Sequence, residues 1–306
     1  MKKNNIYILG LILVVLAVAA YFVNRDTSGE KKTVKVSEKL FTIDSASVDK
    51  LEIERNGKKL VLEKKPGMWI ETSPVQYPVN QSDVANALMS LKKYKLSSIV
   101  SDNPSNKNAF GFADTNFAKI SVYQGGNLVG SFLLGNPTAG QLQAYVKKTE
   151  GNEIYLAEEF THNYFIKQDL MDWRDKQITS IPRGTIKSID VNFAGENYTV
   201  LPDTTGKFYI GKDTVSNSVA DGVFNMLQNL NTQGFRDTTV ALDAKAEYSL
   251  KVTGKNVTDI KFIRYTAIEN PKKYLLQVTG VNQVFEVDEN FVKMLVKSKK
   301  EFLGAK

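Results

Sequence analysis

A set of short apolar patterns occurs twice in this chain, in the same order and at a nearly constant offset. No other feature restricts the fold as strongly. Val48-x-x-Leu51-x-Ile53 returns as Ile186-x-x-Ile189-x-Val191, and Leu60-x-Leu62 as Tyr198-x-Val200, both 138 residues on. Gly67-x-Trp69 returns as Gly206-x-Phe208, 139 on. Val79, Val84, Leu88 and Leu91 map onto Val215, Ala220, Phe224 and Leu227 at 136. Ile120-x-Val122 and Ile154-Tyr155 map onto Leu250-x-Val252 and Val284-Phe285 at 130. An offset that moves only in small steps is what insertions and deletions in surface turns produce. The period is too long for a solenoid repeat. The pattern therefore predicts two homologous globular modules.

Each copy has the same local grammar. Alternating apolar residues mark strands at Leu51/Ile53, Leu60/Leu62 and Trp69-Ile70. Asn56-Gly57 is a two-residue hairpin signal between the first two, because both positions need a positive φ that Asn and Gly tolerate. Pro74 and Pro78 lead to a helix starting near Asn80 or Ser82, with Val84, Leu88 and Leu91 on one face. A second strand set follows over 119–123, 128–134, 144–147 and 153–156, then a short helix from Glu158; its counterpart covers 248–253, 257–265, 273–279 and 283–288 with a helix from Glu289. Hairpins with one or two helices per module indicate α+β with largely antiparallel sheet, not a nucleotide-binding α/β fold.

Ahead of the modules, Ile6 to Val23 is an apolar run without charge or proline, placed behind Lys2 and Lys3. As a helix it would be about 27 Å long, close to the hydrocarbon thickness of a bilayer. Tyr7 and Tyr21 sit near its ends, where amphipathic rings favour the membrane interface. A long C-terminal body is translocated largely regardless of charge, so the N-terminus is expected in the cytoplasm and the body outside it. The alternative is a signal peptide cleaved after Ala17-Val18-Ala19. Tyr21-Phe22-Val23 carries the apolar run past that site, which suits an uncleaved anchor better. The expected organisation is a cytoplasmic tail over 1–5, a transmembrane helix over 6–23, a polar stalk over 24–39, a first module over 40–177 and a second over 178–306.

Composition removes several function classes. There is no cysteine, which excludes disulfides, thiolate metal sites and cysteine nucleophiles. The net charge of +7 is modest, part of it lies before residue 33, and no basic stripe marks a nucleic-acid partner.

Within the first copy, Gly67-x-Trp69, Val79 before a helix, Phe110-Gly111-Phe112, Leu134-Gly135-Asn136-Pro137, Tyr145-Val146 and Asp172-Trp173-Arg174-Asp175-Lys176 resemble the bacterial family called domain of unknown function 4340. The likeness covers about residues 40–180 best. Two departures are visible: Phe110-Gly111-Phe112 stands for the family's Tyr-Gly-Leu, and the second copy lacks a clear Leu-Gly-x-Pro turn. The resemblance implies an N-terminally anchored envelope protein whose partners are membrane subunits of an ABC-type transporter of the gliding-motility kind. It implies no catalytic residues.

The residues themselves offer little chemistry. His162, the one histidine, lies among Phe160, Tyr164 and Phe165 and reads as structural rather than as a general base. No Gly-x-Ser-x-Gly elbow and no Walker phosphate loop is present. Asp169, Asp172 and Asp175 at three-residue spacing could present carboxylates to a cation from one helix face. The plainer reading pairs Asp172 with Lys176, lets Arg174 answer its acidic neighbours, and makes Trp173 an anchor where the modules join. Trp69 and Phe208, at equivalent positions, read as core or interface anchors rather than sugar platforms. The residues expected at a joint or partner surface are therefore Trp69, Asp172, Trp173, Arg174, Asp175 and Phe208, with no metal and no cofactor. The sequence-level reading is a non-catalytic binding or accessory component of an envelope complex in the bacterial cytoplasmic membrane. A small-molecule or glycan-binding module using a cleft between modules is the alternative, and a hydrolase built on His162 the third.

Overall fold

The computed structural model describes residues 12–16, 18–19, 34–40, 42–113, 117–140, 143–157, 161–232, 234–237, 245–264 and 272–304. They form a largely antiparallel, sheet-rich α+β protein with few helices. Residues 12–16 and 18–19 are helical; the rest of the expected span lies outside the described residues. Among the described residues no helix is long and apolar enough to cross a membrane.

The chain divides into two compact units. The first ends at Leu170 and leaves out Tyr77–Asn80; the second comprises Tyr77–Asn80 and Met171–Lys306. In the first unit the strands are β1 (Val34–Lys39), β2 (Val48–Arg55), β3 (Lys58–Lys65) and β4 (Met68–Ser73). After β5 (Tyr77–Pro78), which counts with the second unit, come helix α1 (Gln81–Lys93), β6 (Lys95–Ser101), β7 (Ala118–Gln124), β8 (Asn127–Pro137), β9 (Ala144–Lys148), β10 (Ile154–Ala157) and helix α2 (Thr161–Phe165). The sheet runs in the order β1-β6-β10-β9-β8-β7-β2-β3-β4.

The second unit continues with β11 (Gln177–Thr179), β12 (Ser188–Phe193), β13 (Glu196–Pro202), β14 (Phe208–Ile210), β15 (Asp213–Thr214) and helix α3 (Asn217–Gln228). Then follow β16 (Leu230–Asn231), β17 (Gly234–Arg236), β18 (Tyr248–Thr253), β19 (Val257–Arg264), β20 (Lys273–Val278), β21 (Val284–Asp288), α4 (Glu289–Leu295) and α5 (Lys299–Phe302). Its main sheet runs β15-β14-β13-β12-β18-β19-β20-β21-β17. The order β6-β10-β9-β8-β7-β2-β3-β4 in one unit is the order β17-β21-β20-β19-β18-β12-β13-β14 in the other.

Register follows the apolar repeat as closely as order does. Leu51 pairs with Leu62 on one side and Val122 on the other; Ile189 pairs with Val200 and Val252. Each of these six side chains is buried, since a strand places alternate residues on one face and the apolar set specifies which face turns inward. The helices supply the rest of each core. Val84, Ala87, Leu88 and Leu91 are buried on α1, and Ala220, Val223, Phe224 and Leu227 on α3. The opposite face of the first sheet is polar: Glu52 accepts hydrogen bonds from Lys50 at 3.0 Å and from the Tyr123 hydroxyl at 3.0 Å. Lys59 lies 2.9 Å from the same carboxylate. Burial alone would raise the Glu52 pKa, but these donors outweigh it and hold the carboxyl below its ordinary value.

Two sequence-level boundaries shift. The stalk was expected to run to residue 39, yet Val34–Lys39 forms β1 along the edge of β6. The β-branched pair Val34 and Val36 favours a strand, and ladder bonds to β6 satisfy a backbone that would otherwise stay in water. Its counterpart is β11, which pairs with β16 as β1 pairs with the start of β6: Gln177 faces Asn231 where Lys39 faces Lys95. Leu40 and Ile178 are each 7% exposed, and Ile43 and Ile181 each 9%. The division thus falls after Leu170 rather than at the expected 177/178, because the residues ahead of β11 build the edge of the second unit.

Candidate functional site: the Asp172–Lys176 segment

Asp172 to Lys176 lie within the second unit, while Asp169 belongs to the first. A 3-10 turn over Leu170–Trp173 closes with the Arg174 N–H donating to the Met171 carbonyl at 3.0 Å. The chain then straightens and pairs with Tyr77–Asn80. Val79 and Arg174 form an antiparallel bridge, the Asn80 N–H donates to the Trp173 carbonyl at 2.9 Å, and the Asp175 N–H donates to the Pro78 carbonyl at 3.0 Å. The Thr232 N–H donates to the Lys176 carbonyl at 2.8 Å and carries the segment into β11.

Trp173 is fully buried and Arg174 is 1% exposed. Arg174 reaches well beyond its acidic sequence neighbours. Its two terminal nitrogens reach across 63 residues to the Asp237 carboxylate at 2.6 and 2.8 Å, a bidentate fork. The guanidinium also lies over the Phe235 ring at 5.1 Å and the Tyr77 ring at 5.8 Å, and those rings meet edge to face at 5.3 Å. Burial raises the Tyr77 phenol to about 12; Asp175 adds to the rise and Arg174 opposes it. Asp172 does pair with Lys176, at 3.2 Å, and Asp175 caps the turn by accepting from the Gln177 N–H at 3.0 Å. No helix face carries Asp169, Asp172 and Asp175 together, since the segment is a 3-10 turn followed by extended chain. Asp169 lies 3.6 Å from Lys58 instead.

With its fork engaged by the Asp237 carboxylate and the Tyr77 and Phe235 rings packed beside it, Arg174 ties Tyr77–Asn80 to β17. Sequence reasoning missed Asp237, Phe235 and Tyr77, because nothing local links them to Arg174. Their association exists only once β17 and Tyr77–Asn80 are side by side.

The other expected residues are separate. Phe208 is buried against Phe224 at 4.3 Å, with the Arg183 guanidinium over both rings at 5.3 and 4.9 Å and ion-paired to Asp221. Trp69 is 8% exposed, and its backbone N–H and C=O both bond the Gln81 side-chain amide, at 2.8 and 2.9 Å. His162 lies in α2, and its side chain is outside the described residues. Among the described residues, no group of three or more His, Cys, Asp or Glu is placed to hold a metal ion.

The motifs of the first unit come together in a satellite cluster. Phe110, Phe112 and Ile154 are buried there, with Leu133 and Tyr145 packed against them, and Phe110 meets Tyr145 edge to face at 4.8 Å. The two glycines make the approach possible. A Cβ on Gly135 would sit 2.4 Å from the Phe110 carbonyl oxygen, and one on Gly111, at φ 86°, 2.5 Å from the Asn136 side chain. Phe110-Gly111-Phe112 and Leu134-Gly135-Asn136-Pro137 are thus two halves of one packing joint.

The described residues therefore define an α+β protein of two antiparallel units that share one order over eight strands, with buried aromatic and ion-pair anchors. The profile of the family described as domain of unknown function DUF4340 matches residues 69–277, more than half of the chain. The chain belongs to that family. No curated protein and no solved structure matches it.

Proposed function

We propose that this chain is a single-pass, membrane-anchored extracytoplasmic protein of the bacterial cytoplasmic membrane. In this reading it is a non-catalytic accessory component of an envelope complex, and its partners are membrane subunits of an ABC-type transporter. The observation that carries the anchor is the surface of its N-terminal segment. Ile12, Leu13, Val14, Val15 and Leu16 are helical and 51–67% exposed, a continuous apolar surface that water does not favour and lipid would cover. Family membership and the N-terminal placement of the run support the accessory role. The non-catalytic reading rests on the sequence, with one histidine, no cysteine and no nucleophile elbow. The two units are read as copies of one module, on the shared strand order and register.

The test is fractionation with topology reporters, followed by capture from native membranes. A phosphatase fused after Lys306 should be active outside the cytoplasm, and the mature chain should keep residues 1–23. Cross-linked full-length protein should bring down transporter permease subunits. Recovery of soluble protein beginning at Ala20 would refute the anchor, and capture without any transporter subunit would refute the partner class.

A further inference from the structure

We propose that the end of the β2–β3 hairpin in the first unit binds a phosphate-class anion. A shallow cavity of about 270 Å³ opens there, lined by Arg55, Lys58, Lys59, Lys119, Phe117 and a single carboxylate, Glu54. Four cations surround one acid. The ladder also sets Arg55 directly opposite Lys58, a like-charge cross-strand pair that destabilises a hairpin.

The fold does not require this charge. The second unit makes the same turn, with Ala194 at φ 48° and Gly195 at φ 99° where the first has Asn56 at 52° and Gly57 at 71°. Its register is the same, since Phe193 faces Glu196 as Arg55 faces Lys58, and Asn192 faces Ser249 as Glu54 faces Lys119. At the positions of Arg55, Lys58, Lys59 and Lys119 it carries Phe193, Glu196, Asn197 and Ser249. One turn geometry thus folds with four cations or with none, so the cations answer to something other than folding.

Two of the four cations are only loosely engaged. Lys58 and Lys119 reach carboxylates only at 3.6 and 3.9 Å, to Asp169 and Glu54. Lys59 holds Glu52 at 2.9 Å and Glu54 at 3.8 Å. The Lys58 and Lys119 pairs are exposed and contribute about 0–1 kcal/mol, so an incoming anion competes with them readily. Arg55 donates from one terminal nitrogen to the Lys167 carbonyl at 2.5 Å, which orients the side chain, while its buried Nε has no protein partner. An oriented guanidinium among exposed ammonium groups suits a tetrahedral oxyanion. Phe117 offers an apolar wall to whatever carries the phosphate. The group could be a phospholipid headgroup or a soluble phosphate, and the site is independent of the accessory role proposed above.

The test is calorimetry on the full-length chain in non-ionic detergent at low salt. The probes are inorganic phosphate and a short-chain phosphatidylglycerol below its micelle concentration. Saturable binding of at least one probe is expected, with a loss of tenfold or more in the Lys58→Gln/Lys119→Gln variant. The Lys207→Gln/Lys212→Gln variant, which removes equal charge from the second unit, should bind within twofold of the parent. Tenfold tighter binding of the lipid identifies a headgroup site, and comparable binding a soluble phosphate. No saturable binding by either probe, or equal loss in both variants, would overturn the proposal. Lys58→Gln alone, an exposed change that leaves the hairpin intact, should lose about threefold.

Discussion

Replacing Asp237 by alanine tests whether the Arg174 cluster holds the second unit together. The Arg174 side chain has no exposure and Asp237 has 20%, with the fork at 2.6 and 2.8 Å. Removing one partner of a buried pair costs about 3–5 kcal/mol, because the remaining charge is left without compensation in a poorly polarisable interior. The lower end applies here. Asp237 is partly solvated, and the Phe235 and Tyr77 rings still attract the stranded guanidinium. The expected cost is thus about 3 kcal/mol. In the double variant Arg174→Met/Asp237→Leu no charge remains to be stranded, so it should lie within about 1 kcal/mol of the parent. Urea unfolding in a Trp69→Phe background measures both, because Trp173 is then the only tryptophan and reports the second unit alone. A cost below about 1 kcal/mol for Asp237→Ala, the value of an exposed pair, would refute the reasoning. So would a double variant less stable than the single one.

Other outcomes follow from the same geometry. Trp173→Ala empties a fully buried aromatic site and should cost about 3–5 kcal/mol, read by calorimetric melting; unchanged melting would remove its anchoring role. Gly135→Ala drives a methyl to 2.4 Å from the Phe110 carbonyl and should cost at least about 2 kcal/mol, seen as lost amide-exchange protection in β8 and β9; retained protection would show that the joint yields. The Glu52 carboxyl is held below its ordinary value in the folded state, so its contribution is complete above the unfolded pKa and lost as pH falls through the folded one. Glu52→Gln should therefore narrow the stability difference between pH 6 and pH 3 relative to the parent, and an unchanged difference would count against the network. His162→Ala should leave cellular function intact; a folded variant without function would overturn the non-catalytic reading.

Much of the fold was legible because strand periodicity is a local signal. Leu51/Ile53 and Ile189/Val191 announce buried faces, and Asn56-Gly57 announces its turn through backbone conformation alone. Leu40 and Ile43 recur as Ile178 and Ile181 at the offset of 138 already established, and would have revealed β1, β11 and the earlier boundary. The site was less legible. The sequence singled out Trp173 and Arg174, but charge pairing along a chain is visible only between near neighbours, so Asp237, 63 residues from Arg174, left no signal.

The sequence by itself determined the class, the two sets of strands, their inward faces and the family, because each depends on residues within a few positions of one another or on a pattern repeated whole. Tertiary structure alone decided that Tyr77–Asn80 completes the second unit, that Arg174 takes Asp237, and that Gly111 and Gly135 share one joint. It also decided that four cations gather at one of two equivalent hairpins with β7 supplying the fourth. Those are contacts between segments distant in the chain. They are fixed by the packing of sheets, which propensity and periodicity do not encode.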